Sequence, residues 1–128
     1  MDIVSFETAQ LLKEKGFNVQ VSNCYHPYAE ANKNKLITNQ PKVNWNESHF
    51  LISAPSLDEV EEWLFKTHHI WIRTKYTVYI KHYCEIIVTE KLNYGEKYDL
   101  QRTLPELFDT YQDATENAIK YALTNLLK

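Results

Sequence analysis

Residues 54–90, APSLDEVEEWLFKTHHIWIRTKYTVYIKHYCEIIVTE, decide the fold, because a well-capped helix runs directly into strands there. Ser56 and Glu59 form a capping box, in which each side chain can accept a hydrogen bond from the backbone N–H of the other residue. The apolar residues behind this cap recur at helical spacing and predict an amphipathic helix of about three turns. They are Leu57, Val60, Trp63 and Leu64.

From residue 70 onwards the apolar positions alternate, which is typical of a strand. Ile70 and Ile72 would share one face of this strand, and Trp71 would lie on the other. We expect residues 74–76 to form a polar break. Residues 77–90 then supply β-branched and aromatic side chains for a second, long strand. The segment therefore predicts a hairpin whose apolar face packs against helices.

A helix and two strands are predicted before this segment. Ser5 caps the first helix, and Gly16 ends it because glycine takes the left-handed backbone conformation most readily. Residues 17–25 alternate as a half-buried strand. Residues 27–46 are polar and rich in asparagine, which predicts a long irregular excursion, either a binding loop or an ordinary surface loop. Residues 36–38 and 43–45 could form short edge strands within it. Residues 49–53 form a short strand that leads into the central helix.

A loop and a helix follow the long strand. Residues 91–106 are charged and contain a glycine, which indicates a connection. The last helix begins near Thr110, whose hydroxyl can accept a hydrogen bond from the N–H of Asp113. We therefore predict an α+β fold with a mostly antiparallel sheet of three to five strands and about three helices packed largely on one face. The predicted order is helix, strand, strand, helix, strand, strand, helix.

Composition favours one soluble domain over residues 1–128. The chain is 44% hydrophobic and 13% aromatic, so its composition is not that of a disordered protein. The formal net charge of −3 and the lack of a basic run argue against a dedicated duplex-binding protein. Two distant cysteines and a start without signal-peptide character favour a cytoplasmic location. No apolar run approaches the ~18 residues that span a bilayer, so no membrane partner is expected.

Three blocks of the sequence are informative together, namely residues 5–18, SFETAQLLKEKGFN, residues 54–72, APSLDEVEEWLFKTHHIWI, and residues 110–127, TYQDATENAIKYALTNLL. These blocks resemble a group of small uncharacterised proteins encoded in phage and prophage regions of gut bacteria. Residues 25–48 have no counterpart in the resemblance. It implies a cytoplasmic, phage-associated setting, and it carries no known activity whose residues could be transferred to this chain.

Aromatic and basic residues of the hairpin are the candidate binding residues. Such side chains on an exposed hairpin could stack on bases and contact the phosphates of single-stranded nucleic acid. They also suit a protein interface, because Tyr, Trp and Arg are enriched at binding hot spots. The alternative is that they form cross-strand pairs that stabilise the sheet. The candidates are Trp71, Arg73, Lys75, Tyr76, Tyr79 and Lys81.

Four residues near the hairpin are of types that bind zinc, namely His68, His69, His82 and Cys84. They could converge if the hairpin folded back beside the helix end. However, the set contains no CxxC or HxxxH pair, and adjacent histidines in an extended segment would point to opposite sides. His68 could instead complement the dipole at the C-terminus of its helix. We name these residues as candidate ligands and predict no cofactor.

No catalytic residues are predicted. Cys84 could have His82 beside it on the same face of a strand, yet a cysteine in mid-strand is usually buried and inert. The acidic residues of the central helix are most simply a solvated, capped face. The sequence contains no glycine-rich phosphate loop, no GxSxG and no HExxH. An enzyme is therefore without support from a motif.

Two functions remain as hypotheses. The first is a small non-enzymatic interaction protein that self-associates or binds a host or phage protein through the hairpin. The second is a protein that binds single-stranded nucleic acid through the same residues. An enzyme or metal site of unknown class is a third alternative.

Overall fold

The computed structural model of the chain describes residues 2–27, 35–77, 81–91 and 97–127. The α+β class is confirmed, as is the order in which helices and strands follow one another. The chain forms two compact units, Met1–Glu59 and Val60–Lys128, and the described residues of each contain a three-stranded antiparallel sheet. The single domain stays a prediction. Among the described residues, none of the helices has the length and apolar character that crossing a bilayer requires.

Helix α1, Phe6–Glu14, has both of its ends where the sequence predicts them. The Ser5 hydroxyl accepts a hydrogen bond from a backbone N–H of the first turn at 3.3 Å. Gly16 follows with φ +87°, in the left-handed region, and the N–H of Phe17 then donates to the carbonyl of Leu12 at 3.0 Å. Local sequence therefore sets the length of this helix.

The sheet of the first unit is small. Its strands are β1, Cys24–His26, β2, Lys35–Ile37, and β3, Ile52–Ser53. β1 lies between the other two and is antiparallel to both. The strand predicted for residues 17–25 is regular only at its end. Phe17 and Val21 are buried as its alternation requires, but Val21 forms an isolated bridge with Val43.

Helix α2, Leu57–His68, begins with the predicted capping box. The N–H of Ser56 donates to the Glu59 carboxylate at 2.9 Å, and the N–H of Glu59 donates to the Ser56 hydroxyl at 3.2 Å. The helix ends at His69, whose φ of +58° is left-handed, and the chain turns directly into a strand. A left-handed histidine at this point replaces the glycine that usually ends a helix.

The sheet of the second unit consists of longer strands. They are β4, Ile70–Tyr76, β5, His82–Lys91, and β6, Lys97–Thr103, in the order β4, β5, β6. Residues 74–76, predicted as a break, continue β4, since the ladder with β5 runs unbroken from Ile70 opposite Val88 to Tyr76 opposite His82. The loop predicted for residues 91–106 was wrong at residues 97–103, where β6 pairs with β5, and residues 92–96 lie outside the described residues.

Helix α3, Tyr111–Asn125, covers one face of this sheet. Thr110 caps the helix as predicted, accepting from the N–H of Asp113 at 3.1 Å. Thr115 contacts Thr74 of β4, and the backbone of Ala114 contacts Cys84 of β5. The helix can approach closely because small residues line its buried side. The buried residues of α3 are Ala114, Thr115, Ala118, Ile119, Ala122 and Leu123.

Candidate binding face of the second sheet

The face of the second sheet that lies opposite α3 carries three of the candidate binding residues. Side chains alternate between the two faces of a strand. Thr74 and Cys84 contact α3, so their odd-numbered neighbours lie on the opposite face. The register places Trp71 opposite Ile87, Arg73 opposite Glu85 and Lys75 opposite Tyr83. We name this surface, formed by these six residues, the Trp71 face.

The centre of the Trp71 face is an exposed aromatic and cationic cluster. The rings of Phe65 and Trp71 meet edge to face, with centroids 6.2 Å apart and planes at 69°. The Arg73 guanidinium carbon lies 5.7 Å from the centroid of the Trp71 ring. Contacts of these two kinds are each worth on the order of 1 kcal/mol. They hold two large rings in place although Phe65 is 54% and Trp71 52% exposed.

A buried acid lies beside this cluster. Glu85 is in the central strand β5, and its side chain is only 8% exposed. The ammonium of Lys75 lies 2.5 Å from the Glu85 carboxylate. Arg73 stands directly opposite Glu85 in the register. The acid therefore offsets part of the positive charge that the sequence places on this face.

The other candidate binding residues do not lie on the Trp71 face. Tyr76 is on the α3 side of β4, where it is 73% exposed and its ring lies 6.1 Å from that of His82. Lys81 forms an ion pair with Asp109. The pKa of Asp109 is lowered, mainly by the hydrogen bond from Lys81 and to a smaller extent by the positive charge of Lys81. Tyr79 lies outside the described residues.

The four candidate metal ligands do not form one group. His69 precedes the pair Ile70 and Val88 at one end of β4, whereas His82 pairs with Tyr76 at the other end. Six residues of strand correspond to roughly 20 Å. Among the described residues, no group of three or more His, Cys, Asp or Glu side chains is placed to hold a metal ion.

His68 lies against an aromatic ring. Its imidazole meets the Trp63 ring edge to face at 4.7 Å, and within the described part of the chain its Nε2 atom is buried without a hydrogen-bond partner. The pKa of His68 is lowered, mainly by burial and to a smaller extent by the charge of His69. The neutral imidazole is therefore favoured, in contrast to the charged form that would complement the helix dipole.

Cys84 belongs to a chain of hydrogen bonds between the sheet and α3. Its thiol donates to the carbonyl of Ala114 at 3.1 Å, which uses its one proton. The Thr74 hydroxyl, 3.1 Å from the sulfur, must therefore donate to it and can accept from the Thr115 hydroxyl at 2.6 Å. Burial raises the pKa of the Cys84 thiol, against an opposing contribution from Thr74. A thiol held in this way is a structural group rather than a nucleophile.

Sequence reasoning missed Glu85, which belongs to this face, and Phe65, which contacts it through Trp71. Phe65 follows Leu64 and so lies about 100° around α2 from the buried stripe, on the polar side of the helix. An exposed phenylalanine among acidic residues was the signal that could have found it. Glu85 gave no such signal, because its burial depends on the neighbouring strands.

The first unit contains an open cavity of about 300 Å³. One of its lining residues, Lys13, donates to the carbonyls of Ser48 and Leu51 at 2.8 and 2.9 Å. The ammonium group thus holds the segment before β3 in place, and two of its three donors are used in doing so. His49 and Phe50 lie at the rim, both exposed. This cavity offers less fixed chemistry than the Trp71 face.

The Trp71 face is thus the surface on which aromatic, cationic and buried acidic groups come together. Its interpretation depends on these contacts alone, because the chain matches no protein-family model, no curated protein and no solved structure.

Proposed function

We propose that this chain is a small, non-enzymatic, cytoplasmic protein that binds another protein through the Trp71 face, in the phage or prophage setting that the resemblance implies. The observation that carries the proposal is the cluster of Phe65, Trp71 and Arg73. Its two rings remain more than half exposed although each already has a ring or guanidinium contact. Trp and Arg are the residues most enriched at protein-binding hot spots.

Sheet stabilisation alone accounts for only part of this arrangement. The cross-strand neighbour of Trp71 is Ile87, which is buried, so one side of the indole does contribute to the sheet. About half of Trp71 and about half of Phe65 nevertheless remain exposed to water. Exposed rings held in one position lose little conformational entropy when a partner covers them. This pre-organisation supports a binding role.

The proposal can be tested by affinity capture from bacterial lysate followed by titration of the recovered protein. The baits are wild type, Phe65→Ala, Trp71→Ala and Phe50→Ala. Phe50 is the matched control, since it is a phenylalanine of the first unit that is 66% exposed. Wild type and Phe50→Ala should bind the same protein, and the other two variants should bind it at least about tenfold more weakly. Equal binding by all four baits would contradict the proposal.

Single-stranded nucleic acid is the second candidate, favoured by the guanidinium of Arg73 over the indole of Trp71. Bases can stack on such a platform. However, Lys75 is paired with Glu85 and Lys81 with Asp109, which leaves Arg73 among the described candidate cations to contact phosphates. With about one phosphate contact, the logarithm of the binding constant should fall with log salt at a slope of only about −0.7.

This second candidate is tested by measuring oligonucleotide binding at a series of salt concentrations, with tryptophan fluorescence as the signal. A slope near −2, reduced by both Lys75→Ala and Lys81→Ala, would indicate about three phosphate contacts and favour nucleic acid. No binding at low salt would remove this candidate and leave the protein partner.

A further inference from the structure

We propose that one partner is a second copy of this chain, which pairs antiparallel with the first along the open edge of β4. The inference rests on the proposed function and identifies a partner for it. Among the described residues, β5 is the one strand hydrogen-bonded to β4, so β4 lies at an edge of its sheet. Edge strands present unpaired N–H and C=O groups to which another strand can bind.

The backbone bonds of β5 show which residues of β4 point outward. His82 exchanges two hydrogen bonds with Phe108, at 2.7 and 2.8 Å, and the carbonyl of Cys84 accepts from Leu104 at 2.9 Å. The backbone groups of these even-numbered residues are therefore directed away from β4. In an antiparallel ladder, residues alternate between the two directions. The odd-numbered residues of β5 must therefore form the bonds to β4.

The same alternation applies to β4. The odd-numbered residues of β5 are paired with Trp71, Arg73 and Lys75, so these three use their backbone groups on β5. The bond from the N–H of Thr77 to the carbonyl of Lys81, at 2.7 Å, continues this pattern. It follows that the even-numbered residues direct N–H and C=O to the open edge. These residues are Ile70, Ile72, Thr74 and Tyr76.

β4 lacks three of the features that commonly protect an edge strand. Such strands are often guarded by proline, a bulge or an outward lysine. β4 contains no proline, and its ladder with β5 is continuous over the whole strand. Its one lysine, Lys75, is bound to Glu85 of the neighbouring strand. Within the described part of the chain, the edge is thus regular and has neither a proline nor an outward lysine.

Charge selects the register of the pair. In a two-fold symmetric antiparallel pair, residues equally far from the centre stand opposite each other. If the two-fold axis passes at Arg73, Arg73 lies opposite Arg73 of the second copy. If it passes at Thr74, Arg73 lies opposite Lys75 of the second copy. Both registers therefore oppose like charges. A centre at Ile72 pairs the five residues from Ile70 to Thr74 without such a conflict. It is the longest register that opposes no like charges.

This register also repeats a contact that each chain already contains. It sets Trp71 directly opposite Arg73 of the second copy, at the Cβ separation of about 5 Å that opposed residues have. Arg73 already lies 5.7 Å from the Trp71 ring within one chain. Each indole would therefore lie between two guanidinium groups. The β4–β5–β6 sheets of the two copies would join into one sheet of six strands.

Disulfide trapping tests the register directly. Trp71→Cys and Arg73→Cys are prepared separately and oxidised alone and as a mixture, with wild type as the control. Both native thiols, Cys24 and Cys84, are buried, so wild type should not cross-link. The proposed register predicts cross-linked dimer in the mixture alone. Cross-linking of either variant by itself, or of none of the samples, would overturn it.

Sedimentation equilibrium tests the dimer without introduced cysteines. Wild type should dimerise reversibly, and Arg73→Ala should raise the dissociation constant about tenfold or more because two symmetric contacts are lost. Phe50→Ala should leave that constant unchanged. A wild type that stays monomeric up to millimolar concentration overturns the edge pairing but not the Trp71 face, which the Phe65→Ala capture experiment tests. Phe65 is in α2, outside the β4 edge. Equal capture by all four baits would therefore refute the proposed function, whereas the cross-linking result tests the edge pairing separately.

Discussion

Replacing Lys75 with methionine should destabilise the folded protein by about 1–3 kcal/mol. The substitution keeps most of the side-chain length but leaves the Glu85 carboxylate without the ammonium that lies 2.5 Å away. Breaking a fully buried pair costs about 3–5 kcal/mol, whereas exposed pairs contribute about 0–1 kcal/mol. This pair lies between these limits, since the Glu85 side chain is 8% and the Lys75 side chain 40% exposed.

Urea unfolding of a set of variants measures this cost. Adding Glu85→Gln to Lys75→Met removes the charge of the buried carboxylate and should recover most of the lost stability. Lys66→Met is the matched control, because the Lys66 ammonium lies 2.6 Å from Glu62 but both side chains are mostly exposed. We expect no measurable change for the control. The reasoning is refuted if Lys75→Met is as stable as wild type, or if the double variant is less stable than Lys75→Met.

Three further predictions concern single residues. Gly16→Ala should cost about 1 kcal/mol in urea unfolding through backbone strain alone, because φ is +87° and nothing lies within 4 Å of an added Cβ. Cys84 should react with a thiol reagent at least about 100-fold more slowly in the folded than in the urea-unfolded protein, since burial raises its pKa and encloses it. The folded pKa of His68 is lowered, so between that pKa and the unfolded value of about 6.5 the unfolded state binds more protons. Stability should therefore fall as pH decreases below about 6.5, less so in His68→Gln, and an equal fall in both proteins would contradict this.

The predicted helix ends agree with the structure because each depends on residues close together in sequence. Ser56 and Glu59 are three residues apart and exchange two hydrogen bonds within one turn of the chain. β6 could not be found in this way. Its backbone groups are satisfied by β5, with Thr103 paired to Glu85, and its sequence, KYDLQRT, is too polar to reveal that pairing. Non-local pairing therefore decided an element that the sequence did not reveal.

The candidate site was predictable only as far as alternation determines it. Alternation places Trp71 and Arg73 on one face, as the structure has them, and it places Tyr76 on the other. The position of Phe65 depends on the turn at His69, where a left-handed backbone joins α2 to β4. Periodicity within α2 or within β4 contains no information about that angle. The sequence thus assigned the strand residues to a face, but it did not identify Phe65, the helix residue that completes the cluster.

The position of Glu85 is what makes the Trp71 face more suitable for a protein than for nucleic acid. Without this carboxylate, Arg73 and Lys75 would project two positive charges beside an indole, which is how a groove for single-stranded nucleic acid is built. With the carboxylate 2.5 Å from Lys75, one positive charge is offset at the sheet surface. An exposed Trp, Phe and Arg then remain, which matches the composition of a protein-binding hot spot. A nucleic-acid site would instead need its cations unpaired, because affinity for phosphates grows with each counterion that binding releases.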